Sequence, residues 1–345
     1  MIRKPTSFDI AQLAGVSQPT VSRALRGSPT VSAATRQRIE AIAHQLHYTV
    51  DRAASNLRSG RTKTLALLLF RDPPPDDTVV NPFFLAMLGS IMSACAAEGY
   101  DLLVSFQQMA SDWHVDYEDS HRADGVILLG YGDYAEYRAR LERLVAQGTH
   151  FVRWGSVRAG QPGLTIGCDN VAGARAATRH LIAQGRRRIA FLGDATDHYP
   201  EFQDRHRGYA EALAEAGLAI DPALQVGAIS TEEDGLRAAR HLLTRGVAFD
   251  AIVAASDMIA LAALRVLAEA GLDVPGRIGV VGFDDIPAAG LANPALTTVA
   301  QDVGMAGRRL VNRLLARVRG DVVESEVLPT HLVVRRSSAP QAQDD

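Results

Sequence analysis

From Lys63 onward the sequence alternates short, strand-sized apolar runs with amphipathic helical stretches, and this alternation admits few folds. The runs are Leu65–Phe70, Asp101–Phe106, Gly125–Leu129, Phe151–Trp154, Arg188–Leu192, Ala251–Ala255 and Ile278–Phe283. Between them lie stretches such as the one carrying Ile259, Ala262, Ala263, Val266, Leu267 and Ala270, whose apolar residues recur at helical spacing. Gly99, Gly148, Gly185, Gly217 and Gly271 follow such stretches, where a helix commonly ends in a left-handed residue. Strands joined through helices pair in parallel, so the expectation is α/β architecture with mostly parallel sheets. About 280 residues of this pattern are long for one sheet, and two lobes are expected.

The first block reads differently, as three short helices. Thr6-Ser7 can cap a helix that places Phe8, Ala11, Leu13 and Ala14 near a core and ends at Gly15. Ser17 caps a second, with Pro19 in its first turn, where the missing N–H costs little, and with Val21, Ala24 and Leu25 at helical spacing before Gly27. Ser32 caps a third, with Ile39, Ile42, Ala43 and Leu46 on its apolar face. Two helices joined by a tight turn suit a helix-turn-helix, whose second helix presents its N-terminal side chains to base edges in the major groove. The candidates are Ser17, Gln18, Pro19, Thr20, Ser22 and Arg23: Gln pairs with adenine and Arg with guanine in bidentate fashion. On helix pattern alone, a small bundle with ordinary surface residues fits as well.

Charge separates the two readings only in part. Residues 1–63 hold ten basic side chains against Asp9, Glu40 and Asp51, a balance of +7, so the remainder of a chain with net charge −3 carries −10. A basic arm on an acidic body is an electrostatic footprint for nucleic acid.

The run Asp9-Ile-Ala-Gln-Leu-Ala-Gly-Val-Ser-Gln-Pro-Thr-Val-Ser-Arg23 strongly resembles the N-terminal signature of the lactose repressor family, as do Val31–Arg36 and Leu46-His-Tyr48. Arg52–Gly60 resembles that family's hinge segment, and the resemblance continues to the C-terminus. It implies an N-terminal all-α helix-turn-helix DNA-binding domain (1–50) and a hinge helix with linker (51–62). These join a two-lobed, periplasmic-binding-protein-like α/β core (63–345). Within the core, one lobe is expected at about 63–167 plus 297–328 and the other at about 168–296 plus 329–338. In this family the hinge leucine, here Leu57, wedges into the minor groove and kinks the duplex, and bent DNA then touches more protein; a core leucine is the alternative.

Two departures stand out. Many members carry a proline and an asparagine just before the hinge, where this chain has Val50 and Asp51. Pro19 has no N–H to donate and its ring is apolar, so readout there is expected against a thymine methyl, with Gln18 and Arg23 carrying more of the discrimination. Arg26, Arg36 and Arg38 are read as phosphate contacts, which set affinity and register.

The resemblance also places a small-molecule effector between the lobes. Asn81-Pro-Phe-Phe84 offers Phe83 and Phe84 as apolar walls; Arg205 matches the family's effector-binding arginine; Ser256-Asp257 matches its Asn-Asp pair; Asp284 matches a further polar contact. Carboxylates that accept from hydroxyls, an arginine that donates and aromatic faces suit a sugar, with a purine-type corepressor as the alternative. Trp154 is a stacking platform or a core residue, and Asp257 and Asp284 either meet the ligand or cap helices and loops.

Other classes find little support. Cys95 and Cys168 make neither a disulfide framework nor a zinc site and are expected buried. His44 and His47 lack further ligands for a metal, and no cofactor is expected. Gly130–Ala135 follows a strand like a dinucleotide loop, but Arg153 and Trp154 stand where the acidic partner belongs, which favours a pocket edge. Arg308, Arg309, Arg313 and Arg317 read as a solvated face over Leu310, Val311, Leu314 and Leu315. No catalytic signature points to an enzyme. Without a secretory signal or a bilayer-length apolar run, the expectation is a cytoplasmic homodimer on near-palindromic operator DNA, not a membrane protein or a non-DNA-binding sugar carrier.

Overall fold

The computed structural model describes residues 5–25, 27–48, 61–70, 80–107, 111–130 and 132–339, and the chain divides into two units, Met1–Thr62 and Lys63–Asp345. Arg26, Val50, Asp51 and Leu57 lie outside the described residues.

The first unit holds α1 (Ser7–Ala14), α2 (Gln18–Leu25) and α3 (Ala33–Gln45). Thr6 and Asp9 cap α1 reciprocally: Asp9 N–H donates to the Thr6 hydroxyl, and Thr6 N–H donates to the Asp9 carboxylate at 2.7 Å. Gly15 ends the helix at φ 64°, a conformation that an L side chain resists, and so makes the tight turn into α2. Ile10, Val21 and Ile39, one from each helix, are fully buried at the centre of a core that also takes Ala11, Ala14, Ala24 and Ala43. Two expected core residues are not in it. Phe8 is 71% and Leu13 62% exposed, because the stripe of α1 that meets its neighbours is Ile10, Ala11 and Ala14.

The second unit contains two six-stranded sheets. The first has the order β11-β5-β4-β3-β1-β2, with β1 (Thr64–Leu69), β2 (Asp101–Phe106), β3 (Val126–Leu129), β4 (Phe151–Trp154), β5 (Leu164–Cys168) and β11 (Glu326–Leu328), all parallel. The second has the order β12-β10-β9-β8-β6-β7. Its strands are β6 (Ile189–Leu192), β7 (Gln225–Val226), β8 (Ala251–Ala254), β9 (Gly279–Asp284), β10 (Thr297–Gln301) and β12 (Thr330–Val333). Only β12 runs antiparallel, against β10.

Helices cover both faces of the sheets, as parallel strands require. Along β1, Leu65, Leu67 and Leu69 join the large core with α4 (Pro82–Ala97), while Ala66 and Leu68 join a second cluster with Trp113 and α5 (Tyr134–Ala146). The remaining α-helices among the described residues are α6 (Asn170–Ala183), α7 (Pro200–Glu215), α8 (Glu232–Thr244), α9 (Asp257–Glu269), the short α10 (Pro287–Leu291) and α11 (Val303–Val318). Gly217 after α7 and Gly271 after α9 have φ of 68° and 67°, as their positions foretell. Leu310, Val311, Leu314 and Leu315 of α11 are buried, and Arg309 and Arg313 on its other side pair with Glu326.

The lobes interleave in sequence, with one correction to the expected boundary. The chain was expected to return to the first lobe at about 297, yet Thr297–Gln301 is β10, paired with β9 in the second sheet. The crossing comes after Gln301. The cause is the buried β-branched run Thr297-Thr298-Val299, which extends the second sheet before α11 packs on the first. Cys95 and Cys168 are free and buried, and burial pushes their thiols up to about 11 and about 12.

Candidate functional site

In the first unit, Val21 and Ala24 turn α2 toward the core and leave Ser17, Pro19 and Arg23 exposed, with Gln18, Thr20 and Ser22 half-buried. The Gln18 amide donates to the Ser7 hydroxyl at 3.2 Å, which ties the first residue of α2 to the first of α1. Ser17 and Thr20 hydroxyls lie 2.9 Å apart. Gln18, Pro19, Thr20, Ser22 and Arg23 therefore sit on one short helix, with Ser17 just before it. Arg36 donates to the Ser28 carbonyl at 2.7 Å and so braces the loop after α2, while Arg38 is exposed.

In the second unit, the expected pocket residues cluster at the carboxyl ends of strands, where open α/β sheets bind ligands. Asn81 caps α4 by accepting from Phe83 N–H at 3.0 Å. Its amide donates to Ser230, and Ser230 donates to Ser256 at 2.8 Å, a relay that links the two lobes. Phe83 packs edge-on against Phe84 at 5.4 Å and lies tilted against Trp154 at 6.3 Å. These three expected walls do form one aromatic group on the first lobe.

The second lobe contributes charge. Arg205, on α7 and 1% exposed, lies 3.8 Å above the Phe283 ring. It donates to the Asn170 side chain at 2.8 Å and to the Ala255 carbonyl, and approaches Asp284 at 3.5 Å. Asp284 ends β9 at φ 121°, a backbone strained for a non-glycine residue, and accepts from the Gln301 amide at 2.7 Å. Burial pushes its carboxyl up to about 8 although Arg205 pulls it down.

Asp257 plays a different part. Its two oxygens accept from Ile286 N–H at 2.9 Å and from the Thr298 hydroxyl at 2.6 Å, so it ties the loop after β9 to β10. Burial raises it to about 6. Ser256 caps α9 and receives the relay from Ser230. Arg205 and Asp284 thus come together, whereas Asp257 is engaged by the scaffold.

Sequence reasoning missed Asn170 and Gln301, which hold Arg205 and Asp284, and the role of Asn81 as a bridge. Gln301 ends a strand absent from the apolar runs, so nothing marked it. The lobes are also joined by Arg158 to Asp204 at 2.8 Å, Ser156 N–H to Glu201 at 2.7 Å and His198 to Asp133 at 2.6 Å. Among the described residues no cluster of His, Cys, Asp or Glu could hold a metal, and no helix is long and apolar enough to cross a membrane.

Residues 8–51 match the bacterial regulatory proteins of the lacI family, and residues 178–338 match a periplasmic binding protein-like domain. The HTH-type transcriptional regulator CelR of Thermobifida fusca is 34% identical over 342 residues, which span 97% of this chain and 98% of CelR. The chain belongs to the lacI family of bacterial regulatory proteins. A solved CelR–cellobiose complex superposes with a TM-score of 0.71 at 34% identity, covering 96% of this chain and 99% of that one. The lac repressor dimer bound to operator and the anti-inducer ONPF superposes with a TM-score of 0.83 at 26% identity, covering 97% and 99%. Like these relatives, this lacI-family chain is a helix-turn-helix transcriptional regulator with a two-sheet, mostly parallel core.

Proposed function

We propose that the protein represses transcription as a cytoplasmic homodimer on near-palindromic operator DNA and is switched by a sugar bound between its lobes, without catalysing a reaction. The reading assigns 1–50 to DNA recognition, 51–62 to the hinge and 63–345 to effector binding and dimerisation. Ser17, Gln18, Pro19, Thr20, Ser22 and Arg23 meet base edges or their backbone, Leu57 enters the minor groove, and Arg26 and Arg38 meet phosphates.

The observation that carries the effector reading is the buried Arg205–Asp284 pair at the strand ends. Arg205 donates to ligand hydroxyls, and Asp284, when ionised, accepts from them. Phe83, Phe84 and Trp154 cover the apolar face of a ring, Ser256 lies at the lobe junction, and Asp257 acts through the loop it holds. A ligand that bridges the lobes changes their angle, and with it the spacing of the paired hinges. Leu85 and Met92 on one face of α4, with Val104 and Phe106 on the edge strand β2, expose an apolar surface that supports a homodimer.

The test is footprinting on genomic fragments at fixed salt, with and without sugars, cellobiose first because CelR has been solved with it. A palindrome released by a sugar is the expected result. Protection that appears only with a purine would replace this reading with a corepressor. No specific protection under any condition would overturn it.

A further inference from the structure

Arg158 belongs to the loop between β4 and β5 of the first lobe, yet its side chain reaches mainly onto α7 of the second. Nη2 donates to the Asp204 carboxylate at 2.8 Å and to the Pro200 carbonyl at 2.6 Å. Nη1 donates to the Gln203 side chain at 2.7 Å, and Nε donates to Asp204 at 3.4 Å and to the Ser156 hydroxyl at 3.1 Å. All three guanidinium nitrogens are engaged, in a fork that a lysine cannot reproduce.

The loop is braced for this reach. The Gln161 side chain accepts from Arg158 N–H at 3.2 Å and from Arg153 at 2.6 Å, and Arg153 also donates to the Ser156 carbonyl. Ser156 N–H donates to Glu201 at 2.7 Å, and the Ser156 hydroxyl donates to Asp204. Ser156 and Arg158 therefore grip Pro200, Glu201, Gln203 and Asp204, the stretch of α7 that runs straight into Arg205. None of these positions is more than ~8 Å of helix rise from Arg205.

Two features set this contact apart from ordinary packing. A guanidinium at a helix N-terminus opposes the helix dipole, so the stability of α7 gives no reason for it, and Glu201 and Asp204 are needed to offset the cost. The other bridges between the lobes are also slighter: Asn81 to Ser230 is one bond, and the turn at Asp133 and Tyr134 makes two to His198. The Asp204 side chain is 8% exposed and that of Arg158 29%, so the pair is shielded on the α7 side and open to ions on the other. Trp154, itself buried, lines the junction beside Glu201.

We propose that Arg158 is the latch of the lobe junction: it holds α7, and with it Arg205, against the first lobe, and the cleft opens for exchange only when Arg158 lets go of Asp204. Arg158 is thus a positioning residue that acts through Arg205. Its bonds are made within the chain, so the closure they hold needs no effector, and the latch stands or falls apart from the effector's identity.

Acrylamide quenching of the full-length protein reads the opening through Trp154, with Trp154→Phe supplying the Trp113 signal to subtract. In Arg158→Gln the quenching constant of Trp154 is expected to rise roughly threefold to tenfold, the worth of a partly buried charged fork. Arg158→Lys is expected to fall in between, because an ammonium reaches Asp204 but cannot also hold Gln203 and the Pro200 carbonyl. Asp204 keeps Arg207 at 3.1 Å in both variants, so no buried charge is orphaned and Tm is expected to fall little. Salt is expected to raise the constant of the wild type and leave that of Arg158→Gln flat. Asp204→Asn added to Arg158→Gln is expected to give less than the sum of the two single effects. A wild-type quenching constant in Arg158→Gln, or the same salt dependence in both proteins, would overturn the latch. Were Arg158→Gln not to fold, a wild-type constant indifferent to salt would do so.

Discussion

The first lobe meets the cleft with aromatic rings, Phe83, Phe84 and Trp154, whereas the second meets it with buried charge, Arg205 and Asp284. Rings tolerate closure without a ligand because they pack on one another. The charged pair does so only because Asn170, the Ala255 carbonyl, Phe283 and Gln301 already surround it. On the proposed reading, a ligand gains contact area from the first wall and orientation from the second, since a prearranged donor and acceptor lose little freedom on binding. Damage to each wall should therefore look different.

Arg205→Ala strikes the second wall hardest. It leaves the Asn170 side chain and the Ala255 carbonyl without their donor and empties the space of a buried side chain, so the core is expected to lose ~2–5 kcal/mol in chemical denaturation. The folded fraction should still bind operator but no longer respond to sugar, as read by fluorescence anisotropy of labelled DNA. A normal sugar response in this variant would dissolve the contrast between the walls.

Acidity probes the same wall more gently. Asp284 has its ordinary carboxyl value of 3.8 when unfolded and about 8 when folded. Between those values the folded protein holds a proton that the unfolded chain has released, so stability falls as pH rises from 4 to 8 and levels off above. Asp257, raised to about 6, adds to the fall below that pH. Melting curves across this range are expected to flatten in Asp284→Asn; an unchanged slope would assign the effect to other groups.

The aromatic wall reports optically. The chain has two tryptophans, and Trp113 is buried in the α5-side cluster beside Tyr137 at 5.9 Å. Sugar binding is expected to shift the emission of the wild type but not of Trp154→Phe, with affinity lowered by roughly threefold to tenfold for the lost apolar contact. The smallest effect belongs to the relay. Asn81→Ala removes a helix cap and the bridge to Ser230, costs about 1 kcal/mol, and should weaken sugar binding a few-fold without touching operator affinity in its absence.

Much of this contrast was legible in the chain. Phe83, Phe84, Arg205 and Asp284 stood in motifs that resemble the family's, Trp154 stood at the end of an apolar run, and the strands betrayed themselves by such runs. Phe8 and Leu13 were misread because a helix of eight residues with apolar groups all round does not declare which stripe is inner. Asp257 looked like its neighbours in a ligand motif, and only its two hydrogen bonds reveal its engagement with the loop after β9. Asn170 and Gln301 carried no signal at all, since the partners they hold lie far along the chain.

Resemblance to a known family supplied the rows of residues read as touching DNA or ligand, whereas local pattern alone determined the three-helix unit and the α/β core. Those two features follow from spacing and turn chemistry within a few residues of each position. The tertiary structure alone decided that the chain crosses back after Gln301, that Arg205 finds Asp284 across 79 positions, and which polar atoms stay unpaired. Such outcomes depend on which distant segments share a sheet edge. Burial and partnership arise between segments, and no window along the chain contains both sides of a contact.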